Sequence, residues 1–558
     1  MKDRLLIGIL LAAVAMVYSN AVINQFTMDD GLYIVNNPQV TQPSLRALFA
    51  PNRISSVFRP ATFATLAFNW KLSGLEPLGY HLLNLFFHAG VVWLLFLLLE
   101  SLLGAFSRGK QVAFVAALLF AVHPIHTEAV ASVVGRAELL AAGFLLAAWI
   151  LHLRDREFSA LLCFALALLS KESAVAFLPM VLVGDYATGQ WKARGRYFRI
   201  AGMTVLYLGI LWTVQGGRFG QATISMLDNP LASVSAGWRV LNALRVAWKY
   251  VALQLYPAVL SCDYSFRQIP VFRDWRHTLP AALATAAIVS AWFWAIRTRQ
   301  MGVVLAGGIY AAAFATAANI LVPTGTVMGE RLAYLPSVGF CLLAALCWSW
   351  LEQRQRVLAW GVLAVVLAAF GARTMLRNRD WKDNLSLFSA AVRAVPQSAK
   401  MHSFLATEYM DRQQYEESRK EFQIALQINP DFPDALSNFG LLEMKQGNNQ
   451  HAGELMEKAL FQSDRSNPNY DSMTVNFAVL LSRNNHVDGA LDLMNREIAE
   501  SPGTVRAWST RALIHMKRGE FAAARADAEA AMQLDPEDSQ TQEALRLLDT
   551  LQHAAAAR

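Results

Sequence analysis

The sequence predicts an all-α chain in two parts, a polytopic membrane domain followed by an α-solenoid, and three observations carry that expectation. Of 558 residues, 55% are hydrophobic and only 16% charged, with a mean hydropathy of +0.30, too apolar for an ordinary soluble protein yet long enough for two or three domains. Long apolar runs fill the first two thirds of the chain and stop near residue 377, and amphipathic helices repeat from residue 399. Charge divides at the same place: 33 Lys and Arg stand against 18 Asp and Glu in residues 1–398, and 16 against 24 in residues 399–558, giving +15 and −8. The two parts therefore face different surroundings, and we divide the chain into a membrane domain at 1–378, a linker at 379–398 and a solenoid at 399–558.

Apolar runs able to cross about 30 Å of hydrocarbon lie near 5–24, 79–103, 111–130, 138–153, 158–170, 173–187, 199–215, 279–296, 301–322, 332–351 and 357–376, which predicts about 11 transmembrane helices. The first follows Met1-Lys-Asp-Arg4; its length and the many runs after it favour an uncleaved helix over a signal peptide cut near Ala12-Ala13 or Ser19-Asn20-Ala21. Between residues 237 and 256, Arg239, Arg245 and Lys249 recur at near-helical spacing among Val, Leu and Trp, which suits a helix lying in the membrane interface.

Lys and Arg gather between alternate runs, at Lys2/Arg4, Arg108/Lys110, Arg154/Arg156, Lys192/Arg194/Arg196, Arg297/Arg299 and Arg354/Arg356. The positive-inside rule puts these on the cytoplasmic side. The loops near 25–78, 123–137, 170–173, 216–278 and 323–331, and everything after about 377, are then expected outside.

The solenoid has a period near 34 residues, the spacing of tetratricopeptide (TPR) repeats. Small residues recur at Ala406, Gly440, Ala478 and Ala512 and again at Ala425, Ala459 and Ala531, where paired helices must touch; Tyr409 and Trp508 match the aromatic positions. Gly447 and Gly519 fall at helix-to-helix turns, and Pro430, Pro502 and Pro536 close repeats. Four repeats fit, at 399–432, 433–466, 471–504 and 505–538, with an insertion around Asn467-Pro-Asn-Tyr470 and a capping helix after Asp538. Such solenoids bind peptides or proteins in a concave groove.

Cys163, Cys262, Cys341 and Cys347 are scattered, so the sequence offers neither a disulfide framework nor a CxxC metal site. The basic excess reads as loop anchoring, since no basic and aromatic array outside the membrane segments argues for nucleic acid.

Ionisable groups that could do chemistry collect in the expected outer loops: Asp29-Asp30, Arg59, His123 and His126 with Glu128, Arg136 with Glu138, Lys171-Glu172, Asp263, and Glu330-Arg331. Each alone has an ordinary explanation. Adjacent aspartates cap helices; His123 and His126 lack a third ligand at metal spacing, so a zinc site is disfavoured; Lys171-Glu172 and Glu330-Arg331 could snorkel at the interface. Six stretches of these loops sending acids, bases and imidazoles to one face, while the inner loops hold little except anchoring Lys and Arg, are what a polar site at the membrane surface requires. A carboxylate can act as general base on a hydroxyl, and cations can neutralise a departing phosphate, chemistry that fits sugar transfer from a polyprenyl phosphate to a Ser or Thr.

Phe26-Thr-Met-Asp-Asp30 with Asn36-Asn-Pro38, Phe58-Arg-Pro60, Gly79-Tyr-His-Leu-Leu-Asn84, His123-Pro-Ile-His-Thr-Glu-Ala129, Val134-Gly-Arg-Ala-Glu138, Ser170-Lys-Glu172, Asp263-Tyr-Ser265 and Gly329-Glu-Arg-Leu-Ala-Tyr-Leu-Pro336 follow in one order along nearly the whole membrane domain. In these stretches the chain resembles the transmembrane and tetratricopeptide-repeat (TMTC) family, of the GT-C class of glycosyltransferases that also includes the protein O-mannosyltransferases. The resemblance implies a GT-C-like catalytic domain and an inverting, metal-independent or weakly metal-linked transfer of a sugar, mannose in the family's eukaryotic members, from a polyprenyl-phosphate donor. In that class the first outer loop carries the catalytic acid, which implies Asp29 as the base, with Asp30 orienting the acceptor or binding a divalent cation. Arg59, His123, His126, Arg136, Lys171 and Arg331 are the pool for donor phosphate and sugar, with Glu128, Glu138, Glu172 and Glu330 ordering the cations. The four-repeat array is shorter than in eukaryotic members, so the acceptor is not carried over beyond a protein or peptide held by the TPR domain.

Two other functions compete. A non-catalytic, membrane-anchored TPR scaffold for envelope or secretory complexes would have no need to collect charge in six stretches of the outer loops, and a transporter calls for polar groups at mid-membrane, where these runs are almost purely apolar. The expected setting is a bacterial inner membrane with a periplasmic TPR domain, or an endoplasmic reticulum membrane with a lumenal one.

Overall fold

A computed structural model describes residues 2–50, 57–106, 108–217 and 224–556. Among these, every regular element is helical, and the chain separates into two compact units, 1–398 and 399–558.

In the first unit each of the eleven apolar runs holds a helix, but their lengths revise the expected crossings. Five are long and apolar enough to span: Leu78–Leu102, Arg136–Leu153, Arg194–Val214, Trp275–Arg297 and Arg356–Asp380. Gly109–Val122 with Pro124–Ala131 forms a pair bent by 53°, which would make a sixth. The 158–170 run is helical throughout but short, as Glu157–Ser170, and in other runs apolar length overstated helical length because residues are spent on other backbone. The run at 301–322 is helical only over Met301–Phe314, after which Asn319 accepts from the Asn229 amide at 2.8 Å and from Thr324 N at 2.7 Å. Pro124 breaks the 111–130 run, since proline lacks the N–H an unbroken helix requires.

Two of the five spans are scarcely covered by protein. Leu206, Phe198, Leu283 and Trp294 on Arg194–Val214 and Trp275–Arg297 are exposed, apolar surface of a size that soluble monomers avoid and lipid would cover. The Ala236–Leu255 helix packs beside the second of them, with Trp248 Nε1 donating to Ala281 O at 3.2 Å and Thr285 Oγ1 at 3.1 Å.

The ends of the first and last helices of the membrane region are tied together. Asn378 Nδ2 donates to Val17 O at 2.8 Å, Asn20 Nδ2 to Met375 O at 2.8 Å, and Asn24 Nδ2 to Asn378 O at 3.1 Å. Val17 O is one of the carbonyls that a helix end leaves without an internal partner, and the Asn378 amide satisfies it. The clamp sets where the chain emerges toward Asp29, and Met28 N, donating to Asn384 Oδ1 at 2.8 Å, extends it.

The second unit is a stack of helix pairs: Ala399–Asp411 with Tyr415–Ile428, Pro433–Lys445 with Asn449–Phe461, Tyr470–Arg483 with Val487–Glu500, and Val505–Arg518 with Phe521–Leu534, followed by Ser539–Ala556. Ala406, Ala425, Ala459, Ala478, Ala512 and Ala531 are all fully buried where helices cross. Buried clusters join neighbouring pairs, as in Val475, Ala478, Met494, Ala507 and Ile514.

Candidate active site

Asp29 and Asp30 are neighbours in sequence and opposites in surroundings. The Asp29 side chain keeps 28% of its surface and accepts from Arg331 Nη1 at 3.2 Å. Asp30 is fully buried; its Oδ2 accepts from Thr27 N at 3.0 Å and its Oδ1 from Val134 N at 2.9 Å. It thus pins the first loop to the turn before Arg136–Leu153. That turn is closed because Gly135 has no side chain: a Cβ there would lie 2.3 Å from Ala129 O. Burial pushes the Asp30 carboxyl up to about 7 against the pull of the two N–H groups.

Arg331 sits in the short Glu330–Ala333 turn and is held by Glu128, whose Oε2 accepts from Arg331 N at 2.9 Å and whose Oε1 faces the guanidinium at 3.4 Å. Glu128 therefore anchors both ends of the residue that meets Asp29. Glu330, on the same turn, points the other way into the protein. It is fully buried, accepts from Ser261 N at 2.5 Å and Tyr264 OH at 2.8 Å, and faces Arg377 at 3.5 Å. Burial raises its carboxyl to about 7 despite the Arg377 charge.

Two further ion pairs adjoin. Arg59, the residue before the Pro60–Ser73 helix, grips Glu172 with two nitrogens, Nη2 to Oε1 at 2.7 Å and Nε to Oε2 at 3.1 Å. Although the surrounding protein opposes ionisation of Glu172, Arg59 holds its carboxyl down to about 2. Lys171 hydrogen-bonds Glu138, and both are buried. Arg331 lies within Coulombic reach of Glu138, and Lys171 within reach of Arg59, Glu172 and Arg331. Asp29, Arg331, Glu128, Glu138, Lys171, Arg59 and Glu172 thus form one belt of paired charges, assembled from five stretches of chain.

The other candidates lie elsewhere. Arg136 is fully buried and donates to Asn84 Oδ1 at 2.8 Å, Thr65 O at 3.1 Å and Tyr80 O at 3.0 Å, so its fork is spent on tying backbone together. His123 and His126 are core side chains: His123 bonds Gln254 O at 3.0 Å and Ile125 N at 3.2 Å, while His126 bonds Phe120 O at 2.9 Å and Ser337 Oγ at 2.7 Å and rests 4.2 Å from the Phe120 ring. Asp263 accepts from Ser265 N at 2.9 Å and Ser398 Oγ at 3.2 Å. Among the described residues, no three His, Cys, Asp or Glu side chains gather as metal ligands.

Two groups escaped the sequence. Arg377, buried beside Glu330, reads in sequence as one of several interfacial cations at a helix end, indistinguishable from Arg373 and Arg379. On the side expected to hold little but anchoring cations, buried Asp185 instead meets His152 Nε2 at 3.1 Å and the Tyr197 hydroxyl at 2.6 Å. Histidine at i and acid at i+33 carry no spacing signal.

Comparison with known proteins matches a TPR repeat model over residues 406–447 and a tetratricopeptide repeat model over 505–538. A protein O-mannosyl-transferase of Caenorhabditis elegans is 32% identical over 436 residues, covering 74% of this chain and 61% of its own length. The TMTC3 protein O-mannosyl-transferase of Mus musculus is 28% identical over 593 residues, covering 95% and 64%, and Tmtc3 of Drosophila melanogaster 28% over 554 residues, covering 82% and 59%. The chain spans about three fifths of the length of the curated relatives it matches.

Proposed function

Starting from the homology of this chain to the TMTC protein O-mannosyl-transferases, we propose that it is a multipass membrane glycosyltransferase of the GT-C type. It moves a sugar, mannose by analogy with the named relatives, from a polyprenyl phosphate to a hydroxyl of a protein acceptor. The observation that carries this proposal is the Asp29–Arg331–Glu128 group, in which a part-exposed carboxylate and a guanidinium meet across 302 positions of sequence.

In the proposed reaction Asp29 takes the proton of the acceptor hydroxyl as its oxygen attacks the anomeric carbon. The bond from that carbon to the phosphate oxygen breaks, and the electron pair leaves with the polyprenyl phosphate. Arg331, with Lys171 and Arg59 behind it, neutralises the phosphate, and each is already ordered by a carboxylate so that little reorganisation remains for the reaction itself. Asp30 acts through the fold rather than on substrate, because both its oxygens are occupied by backbone N–H groups. The TPR unit supplies the protein-binding surface, and the membrane setting is a bacterial inner membrane or endoplasmic reticulum with the charged loops on the non-cytoplasmic side.

The test is transfer by the purified full chain from radiolabelled polyprenyl-phosphate sugars to protein in membrane extract, native against Asp29→Asn. Asp29→Asn is expected to lose about 10²–10⁴-fold, the range for a general base. Equal transfer by both would remove Asp29 from the chemistry.

A further inference from the structure

Resting on that transfer site, we infer that Arg377 is a positioning residue: it holds Glu330 and Glu128 behind the Glu330–Ala333 turn and so aims Arg331 at the donor phosphate. Arg377 leaves the end of the Arg356–Asp380 helix, the same end that Asn378 and Asn24 clamp to the segment leading to Asp29. Its side chain has no exposed surface, faces Glu330 at 3.5 Å and Asp380 at 3.1 Å, and lies within Coulombic reach of Glu128. It therefore cannot touch a substrate, and it acts through its neighbours.

Those neighbours decide where Arg331 points. Glu330 and Arg331 are consecutive residues of one tight turn, so fixing Glu330 inward, on Ser261 N and Tyr264 OH, leaves Arg331 directed to Asp29. Glu330 and Glu128 are also within Coulombic reach of each other. Two buried carboxylates this close repel unless a cation stands by them. With Arg377 in place that cation is supplied from behind the turn. Without it, Glu128 keeps Arg331 as its cation while Arg373 stays within Coulombic reach of Glu330, and a stronger pull from Glu128 would draw the Arg331 guanidinium from Asp29 and from any phosphate in front. Among the described residues Arg377 Nε and Nη2 have no hydrogen-bond partner, so the contribution is one of charge and placement rather than of a fitted fork.

The experiment uses the full chain in detergent and three readouts: equilibrium binding of a sugar-free polyprenyl phosphate, thermal unfolding, and sugar transfer. Arg377→Met is expected to weaken binding about tenfold, within the ~100-fold that a 1 Å misplacement can cost, and to lower the unfolding midpoint. Arg377→Met with Glu330→Gln removes the uncompensated charge that would draw Arg331 aside, and the new amide carbonyl can still accept from Ser261 N and Tyr264 OH, so the midpoint and the binding should both return toward native. Arg377→Lys, which keeps the charge, should bind within about threefold of native. Native binding by Arg377→Met, or binding that stays weak in the double variant, would overturn the inference, as would a native chain that binds no polyprenyl phosphate. Binding without transfer by the native chain would defeat the glycosyl-transfer proposal alone and leave the Arg377 result to be read from binding.

Discussion

In the solenoid unit, Ala478 is buried against residues of its own and the adjoining helix pair; in the membrane unit, Arg331 reaches Glu128 across 203 positions and Asp29 across 302. The first kind of contact is local and apolar and recurs with the repeat. The second is distant, charged and made once. A repeat spreads its stability over many equivalent interfaces, so one damaged interface is tolerated by the others. A single charged group has no such reserve, because removing one partner of a buried pair strands the other. Function and fragility are therefore expected to coincide in the membrane unit.

The sharpest break in that contrast is Asp29→Asn. Transfer should fall by about 10²–10⁴-fold with an unchanged unfolding midpoint, since the side chain is part-exposed and its one partner, Arg331, keeps Glu128. Asp30→Ala should do the reverse. It leaves the N–H groups of Thr27 and Val134 buried without an acceptor, at a cost of roughly 2–4 kcal/mol. Thermal unfolding reads this directly, and loss of activity without loss of stability would place Asp30 with Asp29 instead.

Local damage in the solenoid should be smaller and contained. A Cβ on Gly440 would meet Met456 Cγ at 2.7 Å and Ala452 O at 3.1 Å, so Gly440→Leu should cost about 1–3 kcal/mol. Hydrogen exchange should speed up in Pro433–Lys445 and Asn449–Phe461 while the membrane helices keep their protection. Faster exchange throughout the chain would show that the two units do not unfold separately.

Acidity sharpens the comparison from the other side. Asp30 and Glu330, with ordinary values of 3.8 and 4.5, are both pushed up to about 7 in the folded protein. At these two groups the folded chain binds more protons than the unfolded one between about pH 4 and 7, so their contribution to stability falls as pH rises through that window. His123 and His126, kept neutral by burial, pull the other way over its lower part, so the readout is the difference: Glu330→Gln should make the unfolding midpoint fall less, or rise more, between about pH 5 and 7 than in the native chain, and an unchanged pH profile would contradict the burial argument. The smallest effect is expected of Glu172→Gln. Its partner Arg59 remains, Glu172 is 48% exposed, and solvent screening limits such pairs to about 1 kcal/mol or less.

How much of this was legible follows the same division. The repeat register could be read because small residues at Ala406, Gly440, Ala478 and Ala512 recur wherever paired helices must approach. Apolar runs announced helices but not their lengths, since Pro124 and the Asn319 turn use apolar residues outside helices. In the site, residue type and loop placement raised Asp29, Arg59, Lys171 and Arg331 together, and the structure sets them in one charged belt. The same two criteria raised Arg136, His123 and His126, whose polar atoms turn out to serve the core. Burial distinguishes these cases, and nothing in a loop's composition encodes which side of it faces inward.

By itself the amino-acid order determined an all-helical chain, its apolar and repeating parts, and which acids and bases were within the choice for chemistry. These follow from periodicity and hydropathy, properties of neighbours along the chain. Only the tertiary structure decided that of two consecutive aspartates one meets a guanidinium and the other a pair of buried N–H groups, and that Arg377 stands behind Glu330. Coulombic pairing depends on distance in space, and that distance exists only once helices hundreds of residues apart have been clamped end to end.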